Sequence, residues 1–253
     1  MSEAAYASLE SQLGHMPCLC EDTEEMFWLR ESDDHESRVR LGNLLAGQYR
    51  FREALDAYRL AETIRADDPL LYLRLGGAHL TLRHFDDAKR AYDKSLVLHA
   101  ADASAAYPMG VWHYLQGSYR EAADSFAKVL PCADEMRIAV LYWNAICCMR
   151  ENLTDHLLAG YRDDMKVGGH SAYQSAVAVF LGKTDADEAI HRAEHGQSDL
   201  NAVVSLYGIA VYLAHCGKTE SAHAVMQSLL RRESVWPCIS YLAAWNDLKT
   251  DAV

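Results

Sequence analysis

Three stretches of the chain align without a gap: LGNLLAGQYRFREALDAY at 41–58, LGGAHLTLRHFDDAKRAY at 75–92 and MGVWHYLQGSYREAADSF at 109–126. Gly42, Gly76 and Gly110 are 34 residues apart, as are Ala54, Ala88 and Ala122. The aromatics Tyr58, Tyr92 and Phe126 keep the same interval, and so do Phe51, Phe85 and Tyr119. Four columns in one register, with small and aromatic residues at fixed offsets, are the mark of a repeated pair of helices joined by a short turn. Each unit cannot bury its own apolar face, so neighbouring units must stack to form a continuous core.

The period places the first repeat at 35–68, the second at 69–102 and the third at 103–136. In each, the glycine is read as the point where the two helices come close. The alanine faces it from the second helix, and the aromatic fills space towards the next repeat. Residues 1–34 form an N-terminal helical segment, with one short helix over 4–13 and a second starting near Asp22. After Met136 the pattern weakens, and 137–202 reads as degenerate helix pairs, including a helix expected over 153–165. A last clear pair spans 203–236, and a final helix over 239–248 caps the stack. The fold class is all-α, a right-handed solenoid of helix pairs.

Composition narrows the functions open to such a chain. Among 253 residues there are 24 Lys and Arg against 36 Asp and Glu, a formal charge of -12. Nucleic-acid binding needs Lys and Arg to neutralise phosphates, so it is disfavoured, and an anionic membrane surface is disfavoured likewise. No run of 18 apolar residues suggests a transmembrane helix, and the first residues lack the basic start and apolar core of a secretory signal. The cysteines number seven, an odd count, and stand mostly in apolar helical stretches such as Cys147-Cys148. They read as free thiols in a reducing compartment, and the cytoplasm is the expected location. Eight acidic residues fall between positions 21 and 36 against the single basic Arg30; they read as a solvated face near helix N-termini.

With these columns the chain resembles the tetratricopeptide-repeat (TPR) family over 35–136, and less closely over 203–236. Arg38, Tyr72 and Ala106 stand where that family has its tryptophan. Some members grip a carboxylate at a peptide's end. Asn43 matches that family's first asparagine, but Val39 replaces the lysine, and Ser104 and Pro108 occupy the third-repeat positions, so this clamp is incomplete. From about 103 onwards the layout also resembles NlpI-type bacterial lipoproteins. It shares a helix ending Val179-Phe180-Leu181-Gly182, a short polar helix, and a last repeat with Tyr212, Gly217 and Ala222. That resemblance implies a dimeric adaptor.

Three candidate chemistries remain. His191-Arg192-Ala193-Glu194-His195 spells an inverted zinc-protease pattern, with two histidines one helical turn apart and Glu194 as base. It lacks a third protein ligand, so a metallohydrolase is only the alternative of another class. His15, Cys18 and Cys20 are close in sequence, but Cys-x-Cys is not the usual zinc spacing. No phosphate-cradling glycine motif occurs. Neither cofactor nor metal is expected, and the chain is read as no enzyme. What remains is the face of each repeat's first helix. Positions three and four apart place Asn43, Leu73, Leu80, Tyr107, Val111, Tyr114 and Leu141 along a peptide-binding groove. An apolar stripe with tyrosine hydroxyls is the kind of surface proteins use to bind one another. The expected function is a non-catalytic adaptor or scaffold for a peptide or protein segment. An intracellular chaperone for a secreted substrate is the nearer alternative. The competing account of the stripe is that the C-terminal half or a second copy already covers it.

Overall fold

The computed structural model describes residues 21–98, 105–154 and 156–250. Its described residues form thirteen α-helices and no strand. The fold is all-α. The chain divides into two compact units, residues 1–112 and 113–253.

Unit 1 holds α1 (Glu24–Glu31), α2 (His35–Gly47), α3 (Phe51–Ile64), α4 (Pro69–Thr81) and α5 (Phe85–Leu98), and α6 (Ala106–Leu115) runs across the division. The helix starts follow local chemistry. Thr23, Asp34 and Asp68 each accept a hydrogen bond from a first-turn backbone N–H of α1, α2 and α4, satisfying donors that a helix leaves unpaired. Pro69 follows Asp68 at a position where its missing N–H costs nothing. Within each repeat the two helices pack as a hairpin, α2 on α3 and α4 on α5, and α3 packs on α4 to join the repeats. The core is continuous from Met26 of α1, through Leu41, Leu45, Ala54 and Tyr58, to Leu71, Leu75 and Ala91.

The aromatic column makes a contact that the sequence reading did not give it. The rings of Tyr58 and Tyr92 each lie over the glycine of their own repeat. A Cβ built on Gly42 would come 2.3 Å from Tyr58 Cε1, and one on Gly76 would come 2.2 Å from Tyr92 Cε1. The glycine leaves a slot that the tyrosine ring fills, so the two columns are one contact.

Unit 2 holds α7 (Tyr119–Ala127), α8 (Asp134–Arg150), α9 (Ser171–Phe180), α10 (Ala186–Glu194), α11 (Asp199–His215), α12 (Thr219–Leu229) and α13 (Ile239–Thr250). Every residue from 138 to 148 and from 202 to 211 is buried, so α8 and α11 are central helices, apolar all round. They pack on each other, α7 covers α8, α9 covers both, and α10, α12 and α13 pack on α11. The same ring-over-glycine contact recurs here outside the 34-residue register: a Cβ on Gly208 would lie 2.3 Å from Tyr142 Cε2. The helix expected over 153–165 is absent. The described residues of that stretch form only a 3-10 turn, Leu157–Gly160, and irregular backbone. Gly160 and the adjacent acids Asp163 and Asp164 disfavour a helix. The stretch is held instead by Asn144, whose Oδ1 accepts from the Leu157 N–H at 2.9 Å, and by Arg162, which pairs with Asp134 at 2.9 Å.

Two adjacent glycines give a paired test. Around Gly77 a Cβ would meet nothing within 4 Å. In a helix, alanine is favoured over glycine by about 1 kcal/mol. Gly77→Ala should therefore raise the urea midpoint. Gly76→Ala should lower stability by about 1–3 kcal/mol, because overpacking against Tyr92 outweighs the helix gain. Equal effects of the two substitutions would show that the slot is not needed.

Candidate peptide-binding face

The first helices of the two well-formed repeats, α2 and α4, adjoin in unit 1. A shift of 34 residues maps Val39 onto Leu73 and Asn43 onto Gly77, so these four residues share one face. Asn43 is exposed, while Val39, Leu73 and Gly77 are half-buried. Leu70, one turn before Leu73, is 51% exposed, an open apolar flank to the face. The Tyr58 hydroxyl donates to Asn43 Oδ1 at 2.9 Å. Burial pushes the Tyr58 hydroxyl up to about 12, so at neutral pH it stays a donor. This bond fixes the amide. Its oxygen points down to Tyr58, and its two N–H donors are left on the exposed side. Arg74 lies near enough to act electrostatically on Tyr58. The face therefore offers an oriented amide, a nearby guanidinium, and leucine surface beside a glycine with open space above it.

The other expected groove residues lie elsewhere. Tyr107 is half-buried on α6. Leu80 is 3%, Val111 4%, Tyr114 3% and Leu141 1% exposed, so the structure places these four in the interior. This corrects the reading of an open stripe running from α4 to α8. Leu141 belongs to the central helix α8. Tyr114 is covered by the C-terminal half of the chain. Its ring packs edge-on against Trp143 at 5.1 Å and against Tyr119 at 5.1 Å. Its hydroxyl meets that of Tyr207 at 2.6 Å, inside unit 2.

The hydrogen positions of this network follow by elimination. Tyr207 donates to Asp247 at 3.0 Å and accepts from Arg150 at 3.3 Å. Its one proton is thus spent on Asp247, so Tyr114 donates to Tyr207. Arg150 also pairs with Asp247. Four side chains from α6, α8, α11 and α13 thereby bond one another in the interior, which offsets much of the cost of burying them, although Arg150 Nε is left without a partner among the described residues. No period-3.6 argument on residues 106–115 could reveal a partner 93 positions away.

The zinc-protease stretch is a surface feature. His191 and His195 are exposed. His195 Nδ1 lies 2.8 Å from the His191 carbonyl, and Glu194 accepts from Ser228 at 2.6 Å. His15, Cys18 and Cys20 fall outside the described residues. Cys147 and Cys148 are buried free thiols, and burial pushes the Cys147 thiol well up, away from reactivity. Seven of the eight acids between positions 21 and 36 are exposed, as a solvated face requires, and Asp22 is the exception. Asp22 bonds Arg30 at 2.8 Å and pairs with Arg50, while Arg50 bonds Glu53 at 2.6 Å and Arg30 bonds Glu53 at 3.1 Å. Arg30 and Arg50 hold the Asp22 carboxyl below the usual carboxylate range. The network ties α1 to the turn before α3. The sequence reading missed one further cluster: His79, His84 and Asp87 bring a ligand atom each within 4.8 Å of one another. Their spacing, His-x4-His-x2-Asp, matches no metal pattern, and it is legible only once the α4–α5 turn is folded.

The burial of Tyr114 predicts two graded losses. Tyr114→Phe removes one buried hydrogen bond and should cost about 1 kcal/mol. Tyr114→Ala opens a large cavity and should cost about 3–5 kcal/mol. Chemical denaturation of both variants checks this; a Tyr114→Ala protein as stable as the parent would put the ring back on an open surface.

No family model matches the chain. By sequence it is similar to peroxisomal targeting signal receptors. It is 30% identical to that of Kluyveromyces lactis over 97 residues, 33% to that of Candida albicans over 93, and 29% to that of Eremothecium gossypii over 97. These matches cover 38%, 37% and 38% of this chain, but only 17%, 16% and 17% of the receptors. Among solved structures, it is similar to YrrB, a TPR protein with an unusual peptide-binding site. That likeness has a TM-score of 0.48 and 14% identity, over 90% of this chain and 98% of that one. The MamA protein gives a TM-score of 0.36 at 16% identity, over 80% of this chain and 93% of that one. Naa15/Naa10 bound to HypK-THB gives 0.40 at 17%, over 90% and 37%. At these scores the structural likenesses carry no argument about function, and none of the similarities supports the NlpI-type layout. The character of the repeats rests on their own packing: helices in a 34-residue register, with two hairpins each closed by a tyrosine over a glycine, are the fold of tetratricopeptide repeats.

Proposed function

We propose that the chain is a non-catalytic adaptor that holds a peptide or an extended protein segment on the face formed by Asn43, Leu73 and Gly77. The observation that carries this reading is the oriented Asn43 amide beside exposed leucine surface. Its donors suit a peptide carbonyl, and the open space above Gly77 admits a main chain or a side chain. Leu70 and Leu73 supply the apolar contact that peptide anchors need. The matched receptors are named for a targeting signal, and this agrees with a short peptide as ligand here.

The adaptor reading is favoured over the metallohydrolase by the engaged state of Glu194 and the surface position of His191 and His195. The five described cysteines are free, which fits a reducing compartment, and we place the protein in the cytoplasm. Among the described residues no helix is long and apolar enough to cross a membrane.

The test is selection from a random peptide display library on the intact chain. Affinity of the selected peptides should fall about tenfold or more on Asn43→Ala or Leu73→Asp, as for an interface anchor. It should be unmoved by Val97→Asp, a change at a residue 77% exposed on the second helix α5. Peptides that ignore Asn43 and Leu73 would remove this face from the function.

A further inference from the structure

A second feature of unit 1 lies away from the peptide face. A cleft of about 490 Å3 opens beside α4, between α3 and α5, and His79 and Asp87 line it. His79 comes from the last turn of α4, His84 precedes α5, and Asp87 lies in the first turn of α5. The three thus bracket one tight turn. We propose that His79, His84 and Asp87 form a zinc site, with the fourth position open to the cleft for water or an anionic ligand group.

The first support is distance. His79 Nδ1 and His84 Nδ1 face each other at 3.4 Å. Two nitrogens bound to tetrahedral zinc at the usual bond length stand about 3.3–3.4 Å apart, whereas neighbouring positions of an octahedron at that length would stand about 2.9 Å apart. The same separation is long for a hydrogen bond between two nitrogens, which ordinarily falls near 3 Å. Burial gives the second support. His79 is 6% exposed, so its ring is held in place by the surrounding packing rather than by solvent. The donor set is the third. Two imidazoles and a carboxylate with one open position are the ligands of zinc sites that keep a solvent molecule.

The charges around the site set its competition. Asp87 is paired with Arg90, and the cations Arg59, Arg90 and Lys94 line the same cleft. Asp87 must therefore turn from Arg90 to reach the metal, and Arg90 acts as a brake on binding. Arg90 is exposed, with 73% of its side chain accessible, so it can be changed without disturbing the core.

The experiment uses the full chain, freed of metal by chelation and titrated with zinc chloride by calorimetry, then with cobalt(II) for its visible spectrum. One tight equivalent of zinc and a cobalt spectrum of tetrahedral type are expected. His84→Ala and Asp87→Asn should weaken zinc by about 100-fold or more, since even a residue supporting a ligand is worth 10–100-fold. Arg90→Gln should strengthen it, a change that a merely structural role would not give. Circular dichroism of each variant checks the fold. No saturable zinc would overturn the site. So would binding that survives His84→Ala, or that is lost with His191→Ala or Cys18→Ser instead.

Discussion

The structure depends on one contact, a tyrosine ring laid against a helix backbone where glycine removes the side chain. It occurs at Gly42 with Tyr58, Gly76 with Tyr92, and Gly208 with Tyr142. An aromatic ring buries a large apolar area in a fixed orientation. It can do so against a helix only where no Cβ stands in the way. The contact sets how closely two helices approach, and so it fixes the geometry of everything those helices carry. Tyr58 shows this directly: the same ring that fills the slot at Gly42 ends in the hydroxyl that orients Asn43. Fold and candidate site share one side chain. Tyr142 extends the principle to unit 2, where its hydroxyl donates to the Val204 carbonyl at 2.9 Å and locks α8 to α11.

How much of this was legible in the sequence follows from where the partners lie. Gly76 and Tyr92 are 16 residues apart and recur at Gly42 and Tyr58, so repetition exposes them. Gly208 pairs with Tyr142 from outside the register, and no local pattern marks it. Tyr114 shows the same limit on the candidate site. Its spacing with Val111 is that of an apolar helical stripe, and a stripe looks alike whether it meets solvent or another helix. What decides is Tyr207, which the chain supplies from α11. Asn43 and Leu73 remain accessible in unit 1, whereas Leu141 lies on a helix buried all round. The irregular stretch before α9 escaped for a different reason. Its apolar residues Leu158, Met165 and Val167 are buried, but they are anchored from loops rather than from a helix face.

Charge was legible in part. A formal -12 with acids crowded between positions 21 and 36 reads as a solvated surface, and seven of those eight acids are exposed. In the fold, Asp22 and Glu53 converge on Arg30 and Arg50, drawn from well-separated places in the chain. Partly exposed ion pairs are individually weak, but a shared network of four charges has better geometry than isolated pairs. Its effect here is positional. With Met26 fully buried beneath it, α1 is held on the first repeat. Composition counts charges and cannot see such convergence.

On the two proposals, helix α4 would carry two spatially separate sites. Leu70, Leu73 and Gly77 lie on one side of it, where α2 adjoins. Tyr72, Leu75 and His79 line the cleft beside α3 and α5. At 3.6 residues per turn the centres of these two sets are about 160° apart around the helix, so they face nearly opposite ways. Gly76 lies between them and is closed by Tyr92. A peptide on the first face and a metal at the turn would therefore not compete for space. They would still be coupled, because both depend on the packing of α4 against α5. A zinc ion bridging His79, His84 and Asp87 would stiffen the turn joining those helices, and so the slot at Gly76, without touching the peptide. On the two proposals, one 34-residue unit would carry both a recognition surface and a place from which its rigidity can be set.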